Sequence, residues 1–304
     1  MYQVKLAATM TTAAPAAPPA VPVTATLLVS CRDRTGLVAA LSDFVFRNDG
    51  NIIDADQHAD RETGLFSMRL AFDLVNFKLD RAGITAAMQE IAGRFDLAWD
   101  LSFSDVRPRI AIFASKMPHC LYDLLLSHQL GELGGDLAVV ISNHDDLAPV
   151  AGHFEIRFEK MAIDAQNKAA VEARHQRLLE ELKVDLIVLA RYMQILSPSF
   201  VARWPGRIIN IHHSFLPAFV GARPYHQAME RGVKVIGATA HYVTSELDQG
   251  PIIDQDVCRV SHRDHVKDLI QKGRELERQV LTRAVRSHLE RRVLISGSRT
   301  IVFS

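Results

Sequence analysis

Asp185-Leu186-Ile187-Val188-Leu189-Ala190 holds five apolar residues in six positions, with no polar residue alternating among them. A strand wetted on one side alternates apolar and polar residues, whereas a strand buried on both faces reads as an unbroken apolar run. Such runs belong to parallel sheets covered by helices, and the flanking sequence agrees. Upstream, Val171, His175, Leu178, Leu179 and Leu182 recur at helical spacing; downstream, a proline-bearing turn leads into a second short strand over 207–211. Further out, strands are predicted over 110–113, 137–142, 154–158 and 236–243. One helix passes through Leu121, Leu124 and Leu125, and another starts near Asp146. Strands alternating with helices predict an α/β fold with a doubly wound, mostly parallel sheet over 110–304. In such sheets ligands bind beyond the carboxyl ends of the strands. The loops after Phe113, Ala190, Ile211 and Val243 are therefore the places where chemistry is expected.

Residues 24–103 keep a different rhythm. A short apolar strand over 24–30 precedes the charged turn Arg32-Asp33-Arg34-Thr35-Gly36, and Leu37, Leu41, Phe44 and Val45 then mark a helix, with Gly50 as its C-terminal cap. A strand over 51–58 follows. Phe66, Met68, Leu70 and Phe72 alternate with Ser67 and Arg69, predicting a half-buried strand. Ile84, Ala87, Met88, Ile91 and Phe95 give a second helix, and alternation over 95–103 gives a last strand. This order predicts the ferredoxin-like βαββαβ arrangement, an antiparallel sheet with both helices on one face. The polar stretch 104–109 reads as a linker. Between Lys5 and Arg32 no charge occurs, but Pro15, Pro18, Pro19 and Pro22 interrupt a run of Ala and Thr. Residues 1–23 are accordingly expected to be a disordered tail, being too weakly apolar for a signal peptide or membrane span.

Composition narrows the function. Apolar residues make up 48% of the 304-residue chain, and 35 basic residues balance 35 acidic ones. Zero net charge argues against a nucleic-acid partner and leaves small-molecule ligands open. Cys31, Cys120 and Cys258 form no CxxC pair, so neither a zinc site nor a disulfide framework is indicated, and a cytoplasmic setting is expected.

Two loops carry residues suited to attack on a carbonyl: Asn210-Ile211-His212-His213-Ser214-Phe215-Leu216-Pro217, and His241 to Pro251, which includes Asp248-Gln249-Gly250-Pro251. On an extended segment, Asn210 and His212 point to one face. An amide and an imidazole there can both donate to a carbonyl oxygen that becomes an oxyanion, and a nearby carboxylate can orient the imidazole or accept a proton from water. On the residues alone, each motif also fits a plain turn, Asp248 through an Asx-type hydrogen bond. The adjacent histidines raise metal binding, but no HExxH-like spacing accompanies them and no metal is expected.

The runs NIHHSFLP (210–217), PYHQA (224–228) and TAHYVTSELDQGPII (239–253) resemble the formyltransferase-fold family over residues 110–304. That family includes glycinamide ribonucleotide transformylase, methionyl-tRNA formyltransferase and a deformylase branch. The resemblance implies Asn210, His212 and Asp248 as a catalytic trio. It implies a folate pocket along LARYMQILSP (189–198), with Met193, Ile195 and Leu196 as walls and Gln194 facing the ligand, although core packing explains Ile195 and Leu196 equally well. The transformylases carry a glycine-rich phosphate loop after the first strand. Here Ser115-Lys116-Met117-Pro118-His119-Cys120 contains no glycine, and Pro118 lacks a donor. His213 stands where the transformylases usually have proline. These departures, with GARPYHQA and the closing Arg299 to Phe303, resemble the deformylase branch. They imply hydrolysis of 10-formyltetrahydrofolate to tetrahydrofolate and formate, with no metal or redox cofactor, and with His213, Tyr225 and His226 closing the space of an amine substrate.

Asp33 to Val38 and Gly50-Asn51-Ile52 resemble an ACT domain. That implies a homo-oligomer and an amino-acid effector bound near Gly36, Gly50 and Asn51, or an assembly surface only. Two alternatives stay open: a folate-dependent formyltransferase acting on an amine, and a non-catalytic amino-acid sensor.

Overall fold

The computed structural model describes residues 22–218 and 224–304. The expected tail, but for its last two residues, lies outside the described residues, as do Gly221, Ala222 and Arg223 of the GARPYHQA run.

The N-terminal elements are β1 (Thr24–Arg32), α1 (Leu37–Arg47), β2 (Ile52–Asp60), β3 (Leu65–Asp73), α2 (Arg81–Phe95) and β4 (Ala98–Phe103). They form an antiparallel sheet of order β2-β3-β1-β4. Helix α1 buries Leu37, Leu41, Phe44 and Val45, one stripe at spacings of three and four, against Leu27, Val29 and Phe72 of the sheet. The Asp80 carboxylate accepts from Gly83 N–H at 2.7 Å and caps α2.

Two sequence expectations need correction here. Gly50 does not supply the left-handed turn after α1; Asp49 does, at φ 58°. Gly50 is needed for space instead: its N–H donates to Val45 O at 3.0 Å, and a Cβ there would lie 2.5 Å from the Phe77 ring. Strand β3 is not half-buried either. Ser67, Arg69 and Ala71 are buried too, because the chain's last hairpin covers that face: Leu28 of β1 packs with Leu294 and Phe303.

The remaining elements are β5 (Arg109–Ala114), α3 (His119–Gln129), β6 (Asp136–Ser142), α4 (Ala148–His153), β7 (Phe158–Lys160), α5 (Lys168–Glu181), β8 (Leu186–Ala190), α6 (Pro198–Val201), β9 (Ile208–His212), α7 (Pro224–Glu230), β10 (Val235–Tyr242), β11 (Ile252–Arg259), α8 (Val266–Leu289), and the hairpin β12 (Val293–Ser296) with β13 (Arg299–Val302). Seven strands form one sheet of order β11-β10-β9-β8-β5-β6-β7, parallel from β9 through β7. Alternate residues of β5 feed opposite layers. Ile110 and Ile112 pack with Leu121, Leu124 and Leu281 from α3 and α8; Ala111 and Phe113 pack with Leu179, Phe200 and Trp204. All of Leu186 to Ala190 is buried, as the unbroken apolar run requires.

The strand expected over 154–158 starts only at Phe158. Glu155 takes the left-handed conformation at φ 56° and turns the chain out of α4, so pairing begins with Phe158 opposite Val140. Nor do β10 and β11 continue the parallel pattern. Each pairs antiparallel with its neighbour, His241 standing opposite Asn210 and Tyr242 opposite Ile209.

Order in the sheet reverses between β5 and β8, and the loops following both strands leave at that switch point. The N-terminal sheet touches the other end of the same layer. Arg69, 7% exposed, donates from Nε to Arg291 O at 3.0 Å and from Nη2 to Glu290 O, while Nη1 pairs with Asp54. Its guanidinium thereby satisfies carbonyls at the C-terminal end of α8, where a positive charge is favoured.

Candidate active site

A cavity of about 700 Å³ opens at the switch point, within the range of small-molecule sites. Its walls come from the loops after β5 and β8, the end of β9, helices α7 and α8, and the β10–β11 loop. The two switch-point loops are tied together: Met193 N–H donates to Ser115 Oγ at 3.1 Å, and Ser115 Oγ–H donates to Asn143 Oδ1 at 2.7 Å.

Asn210, His212 and Asp248 meet in the wall. Asn210 and His212 stand two apart on β9, so both side chains emerge on one side. Asp248 arrives by a route the sequence does not suggest. Because β10 runs antiparallel, its following loop leaves beside the start of β9, where Val243 N–H donates to Ile208 O at 2.9 Å. The loop must fold back to reach His212. Gly250 permits the return, since a Cβ there would fall 1.6 Å from Tyr242 O. Asp248 itself sits at φ 57°, a left-handed conformation that Asp tolerates better than most residues.

His212 Nδ1 lies 3.2 Å from Asp248 Oδ2, so Nδ1–H donates to the carboxylate. His212 Nε2 is buried without a protein partner on a residue that lines the cavity. Asn210 Nδ2–H donates to His241 Nε2 at 3.2 Å, and His241 Nδ1–H donates to Tyr242 O at 2.9 Å. Asp248 Oδ1 is 3.6 Å from His241 Nε2. The bond from His212 first, and then the close approach of His241, hold the Asp248 carboxyl far below the usual carboxylate range, against the upward push of burial. The group is a fixed negative charge beside two imidazoles.

Met193, Gln194, Ile195 and Leu196 all line the cavity, with Leu189, Val243 and Leu247. Met193 and Ile195 are 61% and 62% exposed, so their apolar side chains are offered outward rather than packed in the core; Leu196 is buried. His213, Tyr225 and His226 line it too. The His213 ring stacks on His212, centroids 5.0 Å apart, and lies 6.2 Å from Tyr225. Burial first, then the Arg191 and His212 charges, lower His213 to about 4, which keeps it neutral.

Four wall residues escaped the sequence reading in their present role. His241 was visible only as part of a motif, and His119 only as a residue of a loop lacking glycine. Arg191 and Glu277 gave no local signal, although Glu277 falls among Gly273, Leu276, Val280 and Leu281 on the buried stripe of α8, where a carboxylate is out of place. His119, Glu277 and the buried Cys120 bring ligand-type atoms within 4.8 Å of one another, the one such group among the described residues. Its donors fit a cation poorly: His119 Nε2 is bonded to Glu277 Oε2 at 2.7 Å, and Arg191 Nε lies 3.4 Å from that same oxygen.

In the N-terminal sheet, Gly36 lines a shallow cleft with Arg34, Val38 and Gln57. Gly50 and Asn51 do not line it, because they follow the opposite end of α1. Among the described residues no helix is long and apolar enough to cross a membrane.

Comparison with known proteins agrees with this architecture. The formyl transferase family model matches residues 108–285. Glycinamide ribonucleotide transformylase 1 of Symbiobacterium toebii superposes with a TM-score of 0.62 at 33% identity, covering 67% of this chain and 98% of its own. Two other relatives reach across the N-terminal sheet as well. The formyltetrahydrofolate deformylase of Synechocystis sp. is 53% identical over 92% of this chain and 99% of its own length. The crystal structure of the enzyme of that name from Pseudomonas syringae pv. tomato has a TM-score of 0.91 at 44% identity, covering 94% of this chain and 96% of that one. With both sheets shared at this level, the chain belongs to the formyltetrahydrofolate deformylase family.

Proposed function

We propose that the protein hydrolyses 10-formyltetrahydrofolate to tetrahydrofolate and formate, using Asn210, His212 and Asp248. The observation that carries the reading is the unpartnered His212 Nε2 in the cavity wall, on a ring whose other nitrogen is held by Asp248. A ring held in this way can take a proton at Nε2 and donate it to an oxyanion. The second N–H of Asn210 serves the same oxygen, its first being committed to His241. Water adds to the formyl carbon and the carbonyl electron pair moves to oxygen. Collapse of that intermediate breaks the carbon–nitrogen bond, the proton released by water passes to the departing nitrogen, and formate leaves. Asp248 orients the water and holds the charge of His212. Its depressed pKa makes it a better electrostatic anchor than a proton store. The apolar walls at Met193, Ile195 and Leu196 suit the flat ring of a folate, with Gln194 placed for its polar edge. Chemistry of this kind is complete without a metal or redox cofactor.

Incubating the full chain with 10-formyltetrahydrofolate and no amine tests this directly. Stoichiometric formate and tetrahydrofolate are expected; substrate that stays intact until an amine is added identifies a formyltransferase instead.

The N-terminal sheet we read as an ACT-type regulatory unit, residues 24–103, joined by 104–109 to the catalytic unit of a cytoplasmic homo-oligomer. The cleft beside Gly36 is the place for an amino-acid effector, glycine and methionine being the first to try. Effector and folate must then shift each other's affinity by one factor, about fivefold to a hundredfold for ordinary couplings. Titration of either amino acid with and without bound folate measures it, and identical affinities would leave the unit an assembly surface.

A further inference from the structure

Another part of the cavity wall is built around one carboxylate. Glu277, 1% exposed on α8, accepts from His119 Nε2–H at 2.7 Å and from Tyr225 Oη–H at 2.9 Å, with Arg191 Nε 3.4 Å away. These partners come from α3, α7 and the turn after β8, so the cluster draws four elements together. Burial pushes the Glu277 carboxyl up, but the bond from His119 and the Arg191 charge outweigh it and keep the group ionised.

The surrounding backbone is shaped to hold the cluster. Arg191 is a non-glycine residue at φ 62°, a conformation that is retained only where other contacts enforce it. Gly273, one turn before Glu277, leaves room for Tyr225: a Cβ at Gly273 would stand 1.9 Å from Tyr225 Oη. His213 links the cluster to the catalytic trio, stacked on His212 and facing Tyr225.

We propose that the cluster of His119, Arg191, Tyr225 and Glu277 is a barrier that selects water over amines as the attacking group. The proposal rests on the hydrolytic reading above. If the folate ring lies on the apolar walls and the formyl group on the trio, an attacking group must enter past the remaining polar wall. There both Glu277 oxygens are already engaged, so no free carboxylate recruits an ammonium or amine. The Tyr225 and His119 rings occupy the volume, and water alone is small enough to pass. A transferase needs the opposite: an open, hydrogen-bonding seat for its amine.

The test is the fate of the formyl group in the presence of a small amine, hydroxylamine or glycinamide, added in rising concentration to the full chain with 10-formyltetrahydrofolate. The ratio of N-formyl product to formate is read by mass spectrometry, which makes the result independent of total rate. The wild type is expected to give formate alone, beyond the uncatalysed background. Tyr225→Ala and His119→Ala are expected to raise the ratio by about tenfold or more, the scale at which a fitted wall discriminates. Tyr225→Phe keeps the ring but frees one Glu277 oxygen, and is expected to raise the ratio less than Tyr225→Ala. Gly273→Ala supplies an independent route: it favours the helix, lies outside the cavity lining and displaces Tyr225 from the carboxylate, and it too is expected to yield formylated amine. If the wild type hydrolyses and neither alanine variant nor Gly273→Ala formylates an amine, the barrier is wrong and the hydrolytic reading stands. If the wild type itself formylates the amine, or releases no formate, both fall.

Discussion

Asp248 and Glu277 both touch histidine in the wall of one cavity, but the hairpin loop and the helix that carry them treat the carboxylate differently. Glu277 sits on a long helix, with a partner on each oxygen and a guanidinium beside it. Asp248 sits on a loop folded back from an antiparallel strand, at a left-handed residue, with its two imidazole contacts at 3.2 and 3.6 Å. A fully engaged carboxylate fixes shape, whereas one with looser contacts retains acceptor capacity for water. On the mechanism proposed above, the same functional group serves architecture on the helix and chemistry on the loop.

The largest effect expected from this contrast is on turnover. Asp248→Asn keeps size and tolerates the backbone angle, but removes the charge that holds His212. Turnover should fall by about 10² to 10⁴ with folate affinity and melting midpoint nearly unchanged. Steady-state kinetics near wild type would place Asp248 with Glu277 as a structural group. Next come Asn210→Ala and His212→Ala, each costing about 10² to 10³ in rate as donors to one oxyanion. Because they serve one oxygen, the double variant should lose less than the product of the two single losses. Strict multiplicativity in that cycle would separate their roles.

Glu277→Ala inverts the pattern. It strands the Arg191 charge in a buried wall, and denaturant unfolding should show a loss of about 3 kcal/mol or more. Comparable destabilisation by Asp248→Asn would erase the distinction between the two carboxylates. The last expected effect is in pH. Burial, the leading cause in each case, lowers His213, His175 and His288 from 6.5 to about 4. Between those values the unfolded chain binds protons that the folded chain refuses. Stability is then full above about pH 6.5, falls as pH drops toward 4 and levels off below it. His213→Asn should shrink the fall measured across that window, and a stability flat from pH 7 to 4 would show that these rings are not held neutral.

How much of this could be read from residues alone follows from what patterns encode. The unbroken run through Leu186–Ala190 and the alternation in β3 announce strands, because side-chain period survives in sequence. Strand direction leaves no such trace, so β10 looked like one more parallel strand. Asn210-x-His212 was legible because both residues share one extended segment. Their pairing with Asp248 depends on a loop that reverses course, and only Gly250 hints at it. Glu277 was hidden by its own helix: among the many charged residues of α8, a buried carboxylate looks like a solvated one until the apolar stripe is followed through it. Ser67 and Arg69 misled for a related reason, since polar residues on a sheet face imply water unless a distant segment comes to cover them.

That covering segment has a practical consequence. Arg69 and Leu28 form a seam with the chain's last turn and hairpin: Arg69 reaches the carbonyls of Glu290 and Arg291, and Leu28 meets Leu294 and Phe303. A chain cut near Val106 to isolate the seven-stranded unit would bare those apolar side chains and strip the cation from the tail of α8, the helix that presents Glu277. A change in its activity would then confound loss of the proposed effector site with damage to the helix. A test of the proposed effector site is better made inside the cleft at Gly36, on the far side of the seam, where a single substitution leaves the joint closed.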